Sequence, residues 1–116
     1  HNVRQWRILL LMEFIETSIF TRQITELLDD SEYEQLQHEL VLNPLKGALI
    51  KKSAGLRKLR WKTVSKGKRG GIRAIYYYIT EDETIYMLLA YPKNVKDDLT
   101  AKELKILRSV VQEELS

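Results

Sequence analysis

The residues best suited to chemistry lie in one short stretch. Lys58, Arg60 and Lys62 alternate with Leu59 and Trp61. In an extended strand alternate side chains share a face, so the three cations project together, roughly 7 Å apart. That spacing is close to the step between successive phosphates of a single nucleic-acid strand. The loop Lys66-Gly67-Lys68-Arg69-Gly70-Gly71 follows, and its glycines allow backbone amides to approach an anion. It lacks the Gly-x-x-x-x-Gly-Lys-Ser/Thr spacing of a P-loop. Arg73, directly after the loop, is expected on the same surface.

Such a surface binds RNA, or cleaves it without metal by turning the 2′-hydroxyl on the adjacent phosphate. Cleavage needs a base, a cation for the charge on the phosphorane, and an acid for the leaving oxygen. Crowded cations lower a neighbouring lysine's pKa, which makes Lys58, Lys66 and Lys68 candidate bases. Arginine, always charged, suits the stabilising role. Of the tyrosines, Tyr76, Tyr77 and Tyr78 occupy both faces of one strand, where core filling is their commoner fate. Tyr91, beside Pro92-Lys93-Asn94, is expected at the site rim. Asp97-Asp98 is the one tempting carboxylate pair, and it reads as a polar approach to the final helix. No acidic cluster near the basic stretch suits Mg²⁺, so neither a metal nor another cofactor is expected.

Charge supports a polyanion partner. Eleven of the 19 Lys and Arg fall between Leu40 and Thr80, a span without Asp or Glu, while all 16 acids lie outside it. Segregation of this kind builds a positive field on one part of a molecule. With no cysteine, disulfide scaffolds, thiolate metal sites and cysteine nucleophiles are excluded. The two histidines, His1 and His38, are too few for a multi-histidine metal site. Ile8–Met12 is too short for a signal sequence, no run approaches a bilayer span, and a cytoplasmic protein with no membrane partner is expected.

The elements that must position these residues can be read in outline. The 116 residues, 44% hydrophobic and 30% charged, allow one domain. Met12–Ile15 reads as a strand, and Phe20, Ile24, Leu27 and Leu28 recur at helical spacing. Ser31 and Glu34 suggest a capping box for a second helix carrying Tyr33, Leu36 and Leu40, which Asn43-Pro44 stops. Strands are expected at Lys58–Lys62, Ile72–Ile79 and Ile85–Tyr91, the last two joined by Glu81-Asp82-Glu83. Thr100 and Glu103 form another capping box, opening a helix with Leu104, Leu107, Val110 and Val111 on one face. The expected class is α+β: an N-terminal strand and helical hairpin, a three-stranded antiparallel meander and a C-terminal helix.

Several strings together carry a family resemblance: Gly55-Leu56-Arg57-Lys58-Leu59-Arg60, then Lys66-Gly67-Lys68-Arg69-Gly70-Gly71-Ile72-Arg73, then Leu88-Leu89-Ala90-Tyr91-Pro92-Lys93-Asn94. From Met12 to the C-terminus the chain resembles the RelE/HigB superfamily of bacterial toxins, and the HigB-like branch in particular. Residues 1–11 fall outside the match, and Met12 reads as a natural start, making them an extension or an added remnant before a single domain, 12–116. The resemblance implies a RelE-like fold and a ribosome-dependent endoribonuclease that cuts mRNA and contacts 16S rRNA. It also implies a cognate antitoxin partner, often one with a helix-turn-helix domain. By position it implies site roles for Lys58, Arg60, Arg73, Lys93 and Asn94. Together with the residue chemistry above, the expected catalytic set is Lys58, Arg60, Lys68, Arg73 and Lys93, and the expected RNA-binding set is Lys62, Lys66, Arg69, Tyr91 and Asn94. Asn94 stands where the RelE branch has an arginine, and Leu99 or Thr100 stands where relatives carry a later tyrosine. The rival readings are a ParE-like gyrase poison and a non-catalytic RNA-binding module.

Overall fold

The computed structural model describes residues 3–8, 12–63 and 71–115. Strand β1 (Val3–Ile8) lies antiparallel to β2 (Met12–Thr17), with Val3 opposite Thr17 and Ile8 opposite Met12. Most of the stretch set apart by the sequence reading thus forms an edge of the sheet. Helices α1 (Ser18–Leu27) and α2 (Asp30–Leu42) follow, then β3 (Ala48–Leu49), β4 (Arg57–Trp61), β5 (Ile72–Ile79), β6 (Thr84–Pro92) and α3 (Ala101–Leu115). The strands form one sheet in the order β1-β2-β6-β5-β4-β3, parallel only between β2 and β6. Among the described residues no helix is long and apolar enough to cross a membrane.

Each helix begins where a side-chain oxygen can take an orphan amide. The Thr17 hydroxyl accepts from Phe20 N at 3.0 Å and donates to Leu88 O at 3.0 Å, pinning the start of α1 to β6. For α2 the cap is Asp29, whose carboxylate accepts from Glu32 N at 2.8 Å. The expected Ser31–Glu34 box is therefore displaced by two residues, because Leu28-Asp29 alone connect the helices and the earlier acid reaches the amide first. The Thr100–Glu103 box forms as expected, Thr100 N donating to Glu103 Oε1 at 2.9 Å and Glu103 N donating to Thr100 Oγ1 at 3.1 Å.

The sheet has two buried faces. Phe20, Ile24 and Leu27 of α1 and Leu36 and Leu40 of α2 pack with Phe14, Leu59, Ile72, Ala74, Tyr76, Ile85 and Met87. Against the other face, Leu107 and Val111 of α3 cover Leu56, Ile75, Leu88 and Tyr91. Strand alternation sorts the residues between these two cores. A bulge opposite Ile75/Tyr76 resets the phase of β6, which is why both Leu88 and Leu89 join the α3 side. Tyr76 fills the helical-hairpin core, donating to Pro44 O at 2.7 Å and accepting from Gly47 N at 2.9 Å, while Tyr77 packs on the α3 side.

One buried polar cluster joins three elements. Glu16 of β2 is fully buried, accepting from Thr21 Oγ1 at 2.7 Å and from Tyr33 OH at 2.6 Å. A buried carboxylate that loses a donor keeps its desolvation cost without the compensating bond. Tyr33→Phe should therefore lower unfolding stability by about 1–3 kcal/mol, read from urea denaturation, with no change in secondary structure.

Candidate functional site

Because Leu59 and Trp61 face the helical hairpin, Lys58 and Arg60 must face α3. In register, Arg60 of β4 stands opposite Arg73 of β5, which stands opposite Tyr91 of β6. Adjacent strands run about 4.8 Å apart, so three neighbouring strands present a row of two guanidinium groups and a phenol. Lys58 lies one pleat along β4 on the same face.

The sequence reading places these cations on an open surface. Only part of that holds. Arg60 is exposed, but Lys58 and Arg73 retain only 7% and 5% of their surface, and Tyr91 is buried rather than at the rim. Strand alternation specifies the face a residue occupies, not what covers that face. Here the cover is the segment between β6 and α3. Lys93 N donates to Gly71 O at 3.0 Å, and Val95 N donates to Pro92 O at 3.1 Å, turning the chain back across the strands. Tyr91 OH donates to Asp97 O at 3.3 Å, the Lys96 ammonium sits 5.1 Å from the Tyr91 ring centre, and Lys96 pairs with Glu103.

This turn brings Asp97 and Asp98 onto the two buried cations. Arg73 Nε donates to Asp97 Oδ1 at 2.8 Å. Lys58 Nζ donates to Asp98 Oδ1 at 2.5 Å and to Asp97 O at 3.1 Å. The pair expected only to lead into the last helix thus supplies counter-charges to the basic face. Its local sequence carries no sign of this, since the partners are 24 and 40 residues away. One indirect signal exists: a carboxylate-free stretch whose strand cations turn toward a packed helix must draw acids from elsewhere in the chain.

The electrostatics follow. The hydrogen bond from Arg73 holds the Asp97 carboxyl below its ordinary 3.8, opposed by partial desolvation and aided by the charges of Lys58, Arg73 and Arg60. Burial, followed by the fields of Asp98, Asp97 and Glu103, pushes the Tyr91 phenol up to about 12, so it acts as a proton-bearing donor at neutral pH. For a carboxyl depressed by folding, the stabilisation is present above the unfolded value and is lost as pH falls through the folded one. Asp97→Asn should therefore make stability less acid-sensitive below about pH 4, measured as melting temperature against pH.

The remaining predicted residues fall around this centre. Lys62 is exposed immediately after β4, and Lys93 and Asn94 are exposed at the turn after β6, next to Gly71. Lys66, Lys68 and Arg69 lie outside the described residues. What is assembled is a buried cation pair beside an exposed arginine. Such a group can hold a phosphodiester and stabilise charge that develops on it.

The sequence and fold agree with one comparison. The model of the family described as the RelE toxin of the RelE/RelB toxin–antitoxin system matches residues 20–116, a span running from the first helix through α3 and including every described cation of the site. The chain is a member of the RelE toxin family, the toxin component of a toxin–antitoxin system.

Proposed function

We propose that this toxin cuts mRNA on the ribosome, without a metal, and so halts translation, and that it belongs to the HigB-like branch of the family. The supporting observation is the cluster of Lys58, Arg60 and Arg73 on one face of β4 and β5. Arg73 stabilises the charge on the phosphorane formed when the 2′-oxygen attacks. Lys58, whose ammonium already donates to two oxygens, anchors a neighbouring phosphate. Arg60 and Lys62 guide the strand, and Lys93 and Asn94 border it. Lys66 or Lys68 takes the 2′-proton as the 2′-oxygen attacks phosphorus. The P–O5′ bond breaks to leave a 2′,3′-cyclic phosphate, and the 5′-oxygen takes a proton from that lysine's ammonium or from water. Arg69 adds charge for RNA and 16S rRNA. The toxin acts in the cytoplasm, and its cognate antitoxin, carrying a helix-turn-helix domain, holds it inactive.

The test is to express the chain and map new 5′ ends of cellular mRNA. Cuts in phase with codons are expected. DNA damage with intact mRNA would replace this reading with gyrase poisoning. Intact mRNA with retained ribosome binding would reduce the chain to a binding module.

A further inference from the structure

We propose that Asp97 and Asp98 form an internal acidic strap across two phosphate subsites, one on Arg73 and one on Lys58, and that a polyribonucleotide must displace the strap to bind. The inference rests on the RNA-cleaving reading for the identity of the ligand, but its geometry stands independently. The two sides of each ion pair differ in exposure. Lys58 and Arg73 are buried within the sheet face, whereas the Asp97 and Asp98 side chains keep 47% and 81% of their surface. A carboxylate with that much exposure returns to water at little cost, so an arriving phosphate can take its place on the buried cation.

The hydrogen bonds divide in the same way. Without Asp98, Lys58 Nζ still donates to Asp97 O at 3.1 Å and keeps its direction. Without Asp97, Arg73 NH1 still donates to Ile72 O at 3.2 Å. Arg73 thus keeps a bond outside the strap, whereas Lys58 keeps one to the strap's backbone, so at Lys58 it is the Asp98 side chain that a phosphate replaces. There is also room at the point of exchange. A cleft of about 240 Å³ opens beside the Lys58–Asp98 pair, lined by Ile50, Lys51, Leu99 and Leu104 as well as that pair. Lys51 adds a second ammonium to its wall. Arg60, exposed next to Arg73, gives an incoming strand a first contact, and no carboxylate among the described residues pairs with it.

Strap displacement has a measurable consequence for salt dependence. Each phosphate neutralised on single-stranded nucleic acid contributes about 0.7 to the slope of log K against log salt. Two cations already compensated by the chain's own acids contribute little to that slope. Removing both acid charges should steepen it by about 1.4. The probe is a 2′-O-methyl oligoribonucleotide, which cannot supply the attacking hydroxyl, titrated against the whole chain at several salt concentrations. Asp97→Asn/Asp98→Asn is expected to bind roughly tenfold tighter at low salt, each exposed pair contributing a few-fold.

Charge alone is controlled by Glu81→Gln/Asp82→Asn, the same net change in the β5–β6 turn. That turn lies about 26 Å along β6 from Pro92, beyond the screening length of about 10 Å. It should leave the slope at the wild-type value. Asp98→Asn alone leaves the Arg73 pair intact and should steepen the slope by about 0.7, so the test survives if the double variant fails to fold. Wild-type slopes in Asp98→Asn, or an equal gain in the Glu81/Asp82 control, would overturn the strap. A strap gain without codon-phased cuts would sink the ribonuclease reading alone, and such cuts without any gain would sink the strap alone.

Discussion

Arg73→Ala is expected to reduce ribosome-dependent mRNA cleavage by about 10²- to 10³-fold, the usual cost of removing a donor aimed at charge that develops in a transition state. The size of the effect follows from where the guanidinium sits. It is buried between strands β4 and β6, opposite both Arg60 and Tyr91, and its NH1 donates to Ile72 O, a bond that remains when a phosphate takes the place of Asp97. A donor held that way has little to reorganise when the phosphorane forms. A flexible surface arginine would lose much of the benefit to water. Arg73→Lys keeps a cation near Asp97 but loses the planar fork, and intermediate activity is expected. Mapping of mRNA 5′ ends with each variant checks both values. Circular dichroism and thermal melting establish that the variants are folded. Full cleavage by a folded Arg73→Ala protein would remove Arg73 from the site and leave Lys58 and Arg60 to be explained as binding residues only.

The same residue marks the limit of what the chain reveals when read linearly. Ile72–Ile79 is legible as a strand at both ends, because a β-branched and aromatic run lies between Gly71 and an acidic turn. The Thr100–Glu103 box is equally plain, since both partners are local. Contacts that cross the fold leave no such trace. Alternation puts Lys58, Arg60 and Arg73 on one face, yet says nothing about the β6–α3 segment that folds over two of them. The acids that cover them come from beyond the third strand of the meander. Tyr91 is misplaced for the same reason: its position at the end of β6 suggests a rim, and the returning chain buries it. Val3–Ile8 escapes notice because Val-Arg-Gln-Trp-Arg-Ile has neither strict alternation nor a continuous apolar run. Its strand character comes from the β2 edge it pairs with.

Gly71→Ala is the substitution expected to damage fold and site together. Gly71 has φ +75°, a region costing most other residues about 1–2 kcal/mol. A Cβ there would stand 2.0 Å from Trp61 O and 2.9 Å from Lys62 Cα. Both obstacles are backbone, so no change of side-chain rotamer relieves them. The chain must instead lift the start of β5 away from the end of β4, weakening the pairings of Ile72 with Trp61 and Arg73 with Arg60. The bond from Lys93 N to Gly71 O, which turns the β6–α3 segment over the cations, would be strained as well. Adding the backbone cost to one or two lost hydrogen bonds gives a destabilisation of about 3 kcal/mol, measurable by urea unfolding. Activity separates this from a purely structural effect. Tyr33→Phe disturbs a buried cluster on the opposite side of the sheet and should leave the cleavage rate per folded molecule close to wild type. Gly71→Ala displaces the strand carrying Arg73 by way of its immediate predecessor, so cleavage per folded molecule should fall at least tenfold, corresponding to about 1.4 kcal/mol in the barrier. A Gly71→Ala protein within about 0.5 kcal/mol of wild-type stability, and equally active, would mean that β4 and β5 do not approach each other here as described.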